Sequence, residues 1–83
     1  MTVICTHQGY YASTESCDHF ITCTAGLSIQ YTPCPIGNDG RRLYFDPTSD
    51  PQNNGAAACD YPEAVICDLN YNVELARSRG MVK

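Results

Sequence analysis

The sequence predicts a small disulfide-stapled all-β domain, and three observations carry that prediction. Six cysteines lie in 83 residues, at Cys5, Cys17, Cys23, Cys34, Cys59 and Cys67. An even count at this density is the mark of a bridged extracellular domain. The gaps between them are 11, 5, 10, 24 and 7 residues. No CxxC element occurs, which argues against a zinc site or a thioredoxin-like redox pair. Between the cysteines, runs of β-forming residues are short and are cut by proline, glycine and asparagine, the pattern of short strands and turns.

Taken in order, His19-Phe20-Ile21-Thr22-Cys23 is rich in β-formers and ends at Thr24-Ala25-Gly26, a hairpin turn. Leu27-Ser28-Ile29-Gln30-Tyr31-Thr32 alternates apolar and polar residues, the period of a half-buried antiparallel strand. Pro33 and Pro35, on either side of Cys34, end it. Leu43-Tyr44-Phe45 reads as a further strand, stopped by Asp46-Pro47. Residues 48–58 read as a turn-rich loop with Asn54-Gly55 as its tightest bend. Cys59-Asp60-Tyr61-Pro62 and Val65-Ile66-Cys67 are expected to pair as a second, small hairpin. Five short strands result. Residues 5–67 therefore form the disulfide-framed domain. Residues 68–83 form a C-terminal tail with no proline or cysteine, able to make about two helical turns between an Asn72 cap and Gly80. An isolated helix of that length is marginal in water, so a partly ordered tail is the alternative.

One domain is the count at this length, and its core must be thin. Each disulfide should contribute about 2–4 kcal/mol, mostly by restricting the unfolded chain. The net charge of −4 gives no electrostatic footprint for nucleic acid. The basic pair Arg41 and Arg42 sits beside Asn38, Asp39 and Gly40 and reads as a solvated turn. Nothing approaches the roughly 20 apolar residues of a membrane span. Met1 runs straight into Thr2-Val3-Ile4-Cys5 without an apolar leader. Cysteine usage nevertheless implies an oxidising compartment, so the expectation is a secreted protein whose signal has been removed.

Gly9-Tyr10-Tyr11-Ala12, Cys17-x-x-Phe20-x-x-Cys23, Cys34-Pro35-x-Gly37, Phe45-Asp46-Pro47, Cys59-Asp60-Tyr61-Pro62 and Val65-x-Cys67 follow one another in that order. In register with the cysteines, these pieces resemble the peritrophin-A type chitin-binding domain, the family-14 carbohydrate-binding module. The likeness spans residues 5–67, about three quarters of the chain. Cysteine spacing alone leaves fifteen pairings open. The resemblance implies Cys5–Cys23, Cys17–Cys67 and Cys34–Cys59, within a three-stranded antiparallel sheet followed by a two-stranded hairpin. Two features depart from the family pattern. The 24-residue gap between Cys34 and Cys59 is longer, with extra residues around 38–42 and 50–57, and tryptophan is absent.

Chitin is an uncharged polymer of N-acetylglucosamine whose rings offer apolar C–H faces edged by hydroxyl and acetamide groups. Gripping it takes flat aromatics and short polar side chains. The resemblance places the ligand aromatic at or beside Phe45. With tryptophan absent, Tyr44, Phe45 and Tyr61 are the candidate stacking residues. Asp46, Asp60, Asn53 and Asn54 are the candidate hydrogen-bonding partners. Tyr44 and Phe45 alternate sides of their strand, so one should face the core and the other solvent. Each candidate also has a purely structural role open to it. Phe45 can serve the core, Tyr61-Pro62 can pack on the hairpin, and the aspartates can shape turns through their own backbone. Phe20 and Tyr11 are expected in the core, Tyr31 half-buried, and His7 and His19 at the surface.

Catalysis is not expected. Glycoside hydrolysis generally needs two carboxylates across a cleft. No nucleophile elbow, phosphate loop or HExxH motif occurs, and bridged cysteines leave no thiol nucleophile. The sequence thus implies a secreted, non-catalytic chitin-binding module without cofactor, metal or membrane insertion. The alternative is a protein-interaction or defence domain that has kept the scaffold and lost the sugar.

Overall fold

β1 (Gly9–Ala12), β2 (His19–Cys23) and β3 (Ile29–Pro33) form an antiparallel sheet in the order β1-β2-β3. The computed structural model describes residues 2–83. The register pairs Tyr10 with Thr22, Tyr11 with Ile21 and Ala12 with Phe20, and on the other side Phe20 with Thr32 and Ile21 with Tyr31. Residues directly opposite share a face. One face therefore carries Tyr10, Ala12, Phe20, Thr22 and Thr32, and the reverse carries Tyr11, Ile21, Cys23, Ile29 and Tyr31. The turn between β2 and β3 is closed by the Leu27 amide donating to the Thr24 carbonyl.

Two short strands form a second sheet, β4 (Tyr44–Phe45) and β5 (Cys59–Asp60), paired Tyr44 to Asp60 and Phe45 to Cys59. This differs from the hairpin expected within residues 59–67. Pro62 opens a 3-10 helix, Pro62–Ala64, and a ring with fixed φ and no N–H favours that first position over a strand. Val65, Ile66 and Cys67 consequently pair with no strand. The bend expected at Asn54-Gly55 is instead the start of another 3-10 helix, Gly55–Ala58, whose N-cap is Asn54. Glycine is required there by close approach. A Cβ on Gly55 would lie 2.3 Å from the Phe20 ring.

The disulfides are Cys5–Cys23, Cys17–Cys67 and Cys34–Cys59, the pairing that the resemblance implies. Cys34–Cys59 ties the end of β3 to the start of β5. Over the sheet's first face, Phe20 stacks on Phe45 with ring centroids 5.3 Å apart, and Tyr10 meets Phe20 edge-on. Ala12, Cys34 and Ala58 complete this cluster.

The reverse face is covered by the C-terminal segment. Helix α1 (Leu69–Ser78) is capped by Asp68, whose carboxylate accepts from the Tyr71 amide. Asn72 is therefore not the cap. It lies buried within the helix and its Nδ2 donates to the Ser13 carbonyl at 3.0 Å. The helix ends with the Met81 amide donating to Ala76 O and the Gly80 amide donating to Arg77 O. This doubled closure needs a left-handed residue, which Gly80 supplies at φ +72°. Met81, fully buried, then packs with Ala76 against Ile21 and Cys23. The two ends of the chain finish the layer. Val3 bridges Val82, and the Ile4 amide donates to Met81 O at 2.7 Å. Among the described residues, no helix is long and apolar enough to cross a membrane.

Candidate functional site

The β4–β5 pair presents two of the expected residues side by side. Strand alternation sends Phe45 inward and Tyr44 outward, and the register sets Tyr44 directly opposite Asp60. Tyr44 is half-buried and Asp60 exposed. Asp60 Oδ1 accepts from the Tyr61 amide at 2.7 Å. Tyr61 follows, half-buried, against Gly37, and its hydroxyl accepts from the Asn38 amide at 3.1 Å.

An ionic group that the sequence did not suggest edges this strip. Arg41 pairs with Asp39 and with Glu63 at 2.8 Å, and its guanidinium lies 6.0 Å from the Tyr61 ring centroid. The hydrogen bond from Arg41 holds the Glu63 carboxyl below its ordinary range. Backbone and side-chain bonds from Arg41 do the same to Asp39. The sequence offers the Asp39/Arg41 pair in a turn. Glu63 joins only because the 3-10 helix Pro62–Ala64 folds back toward it.

The remaining expected residues lie elsewhere. Phe45 is only 3% exposed and belongs to the core, so it cannot stack on a ligand. The cause is the thinness of the fold, which has just two phenylalanines and stacks one on the other. Asp46 Oδ1 accepts from the amide and hydroxyl of Thr48, which makes it a turn former. Asn54 uses its Oδ1 to cap Gly55–Ala58. Asn53 is exposed, and its carbonyl accepts from the Tyr10 hydroxyl at 3.2 Å. Tyr44 and Asp60 thus come together, with Tyr61 next along the chain and packed at Gly37; Phe45, Asp46, Asn53 and Asn54 do not join them as a contact surface.

Three tyrosines expected elsewhere or passed over also bear on the surface. Tyr31 is half exposed on edge strand β3. Tyr71, on α1, is exposed. Tyr11 is half-buried, with the Arg79 guanidinium 5.1 Å from its ring centroid. His7 is exposed, as expected, whereas His19 is half-buried and donates from Nδ1 to Asp18 at 2.7 Å. Hydrogen bonds from Ser16 and then His19 depress the Asp18 carboxyl.

Two concavities open on the surface. One, of about 560 Å³, runs between β1–β2 and residues 50–52. The other, of about 450 Å³, is lined by Pro47, Val65, Ile66 and Tyr71 together with Asp46 and Asp68. Ile66 there is 87% exposed. Among the described residues, no cluster of three or more His, Cys, Asp or Glu side chains is placed to hold a metal ion. No protein-family model, no curated protein and no solved structure matches the chain.

Proposed function

We propose that this chain is a secreted, non-catalytic carbohydrate-binding module of the peritrophin-A type that recognises chitin. The observation that carries the reading is the Tyr44–Asp60–Tyr61 strip, held on a hairpin that Cys34–Cys59 clamps to the main sheet. The two tyrosines offer ring faces to the C–H faces of N-acetylglucosamine. The Asp60 oxygen not engaged by Tyr61 accepts from a hydroxyl or an acetamide N–H. Arg41, pinned by Asp39 and Glu63, keeps the strip's edge polar. Phe45 has no part in contact; it supports the strand from below. Affinity for a short oligomer is modest, since each aromatic contact contributes on the order of 1 kcal/mol. Retention on the polymer then comes from many neighbouring sites.

Retention of the oxidised protein on insoluble chitin, with cellulose as the control, tests the reading. Chitin should retain the protein in excess of cellulose, and Tyr44→Ala should reduce that excess several-fold without altering the circular dichroism spectrum. Equal retention on both polymers overturns it.

One group of observations favours the alternative of an interaction domain without sugar binding. Phe45 is buried, Asp46 and Asn54 bond their own backbone, and the Tyr61 hydroxyl is already occupied. Under that alternative, amide resonances of residues 44, 60 and 61 stay unmoved on titration with chitin oligomers.

A further inference from the structure

The groove between β1–β2 and residues 50–52 has a lining of a different kind from either the hairpin strip or the Ile66 concavity. Tyr10 and Thr22, paired across β1 and β2, present their side chains from the same face of the sheet. Asp50, Pro51 and Gln52 line it from the long segment between Cys34 and Cys59. The Tyr10 hydroxyl donates to the Asn53 carbonyl at 3.2 Å, which ties that segment to β1 and sets the groove's width. Gln52 Nε2 donates to the Asp50 carbonyl at 3.1 Å, bracing the segment internally. The groove therefore has two walls held at a fixed distance, and each contributes polar side chains.

Its chemistry narrows the ligand class. No Lys, Arg or His lines the groove, and Asp50 takes part in none of the ion pairs among the described residues. An anionic ligand would meet an unbalanced carboxylate and no counter-charge. An apolar ligand would cover the Asp50 carboxylate and the Gln8 amide and give them no hydrogen-bond partner. A neutral polyhydroxylated ring suits both constraints, because a carboxylate and amides accept and donate to vicinal hydroxyls while a tyrosine face covers C–H groups. A volume of about 560 Å³ also falls within the roughly 300–1,000 Å³ of small-ligand clefts.

We propose that this groove is a binding site for a neutral pyranose sugar, with Asp50 and Gln52 on one wall and Tyr10 and Thr22 on the other. The long gap between Cys34 and Cys59 then gains a role, since its extra residues build one wall. The site stands apart from the hairpin strip and does not depend on chitin being the ligand of that strip.

The test follows backbone amide resonances of the intact, oxidised chain during titration with chitotriose and, separately, with maltotriose. Binding in the groove moves Thr22, Thr24 and Gln52 saturably. The variant Asp50→Ala changes an exposed side chain with no hydrogen bond of its own, and the double variant Asp50→Ala/Gln52→Ala also removes the Gln52 brace. The double variant should weaken that response about fivefold, the effect of one or two hydrogen bonds, and Asp50→Ala alone should weaken it in the same direction. Groove shifts with either sugar that weaken in the variant support the proposal. Groove shifts with maltotriose alone support it too, while counting against chitin as the groove's ligand. Shifts confined to Tyr44, Asp60 and Tyr61 overturn the groove and leave the hairpin reading standing. Unchanged affinity in the double variant, or silence with both sugars, also overturns it.

Discussion

On one face of the β1–β3 sheet, Phe20 stacks on Phe45 beside the Cys34–Cys59 bridge; on the other, Ile21 meets Met81 and Ala76 beneath a helix and the joined chain ends. Both faces are dry at the centre, but they are closed differently. The first is covered by two-residue strands and a four-residue 3-10 helix, elements too short to hold themselves in place. A covalent link to β3 and an aromatic stack do that for them. The second is covered by a ten-residue helix with a proper cap at each end. Its own hydrogen bonds carry much of the order, and packing of one methionine anchors it. The short irregular segments rely on the bridge for their order, whereas the helix adds its own hydrogen bonds to the Cys17–Cys67 link that precedes it. The difference also bears on function, because the Tyr44–Asp60–Tyr61 strip and the sugar groove both belong to the side that Cys34–Cys59 clamps.

The comparison is broken most severely by removing the bridge. Cys34→Ala/Cys59→Ala should cost about 2–5 kcal/mol and detach β4–β5, read as a lower urea midpoint with loss of the Tyr44 and Asp60 amide dispersion. A midpoint unchanged from the parent would show that packing alone closes that face. Met81→Ala attacks the opposite face and should cost about 2–3 kcal/mol. That is the low end of the range for such truncations, because a cavity beside the chain terminus can partly collapse. Hydrogen exchange should then quicken in α1 while residues 44–60 keep their protection. Equal loosening of both faces would mean that they are a single cooperative core. Smallest is Asp68→Ala, which removes the helix cap and should lower stability by about 1 kcal/mol in the same urea titration. A null effect would mean that the Cys17–Cys67 bridge, one residue earlier, already sets where the helix begins.

How much was legible varies residue by residue. β2 was plain in His19-Phe20-Ile21-Thr22-Cys23, because β-formers run unbroken to a turn. β3 was legible by alternation but starts two residues later than expected, since Leu27 adopts a left-handed φ of +60° inside the turn. The helix was visible at its end through Gly80 and misplaced at its start. Asn72 and Asp68 are both competent caps, and local sequence does not show that Ser13, 59 residues away, takes the Asn72 amide. Phe45 is the sharpest case within the candidate site. Alternation required that one of Tyr44 and Phe45 point inward, and only the presence of Phe20 above the strand decided which.

By itself, the sequence determined the all-β class, the number of bridges, the turn after β2 and the acidic, cation-poor character of the surface. These follow from local backbone preference and composition, which act over a few residues. Tertiary structure decided the partner of β5, the burial of Phe45, the recruitment of Glu63 to Arg41 and the facing of residues 50–52 toward Tyr10 and Thr22. Each of these joins residues 14 to 42 positions apart. Such pairings depend on which surfaces meet once the disulfides have closed, and no local preference encodes that.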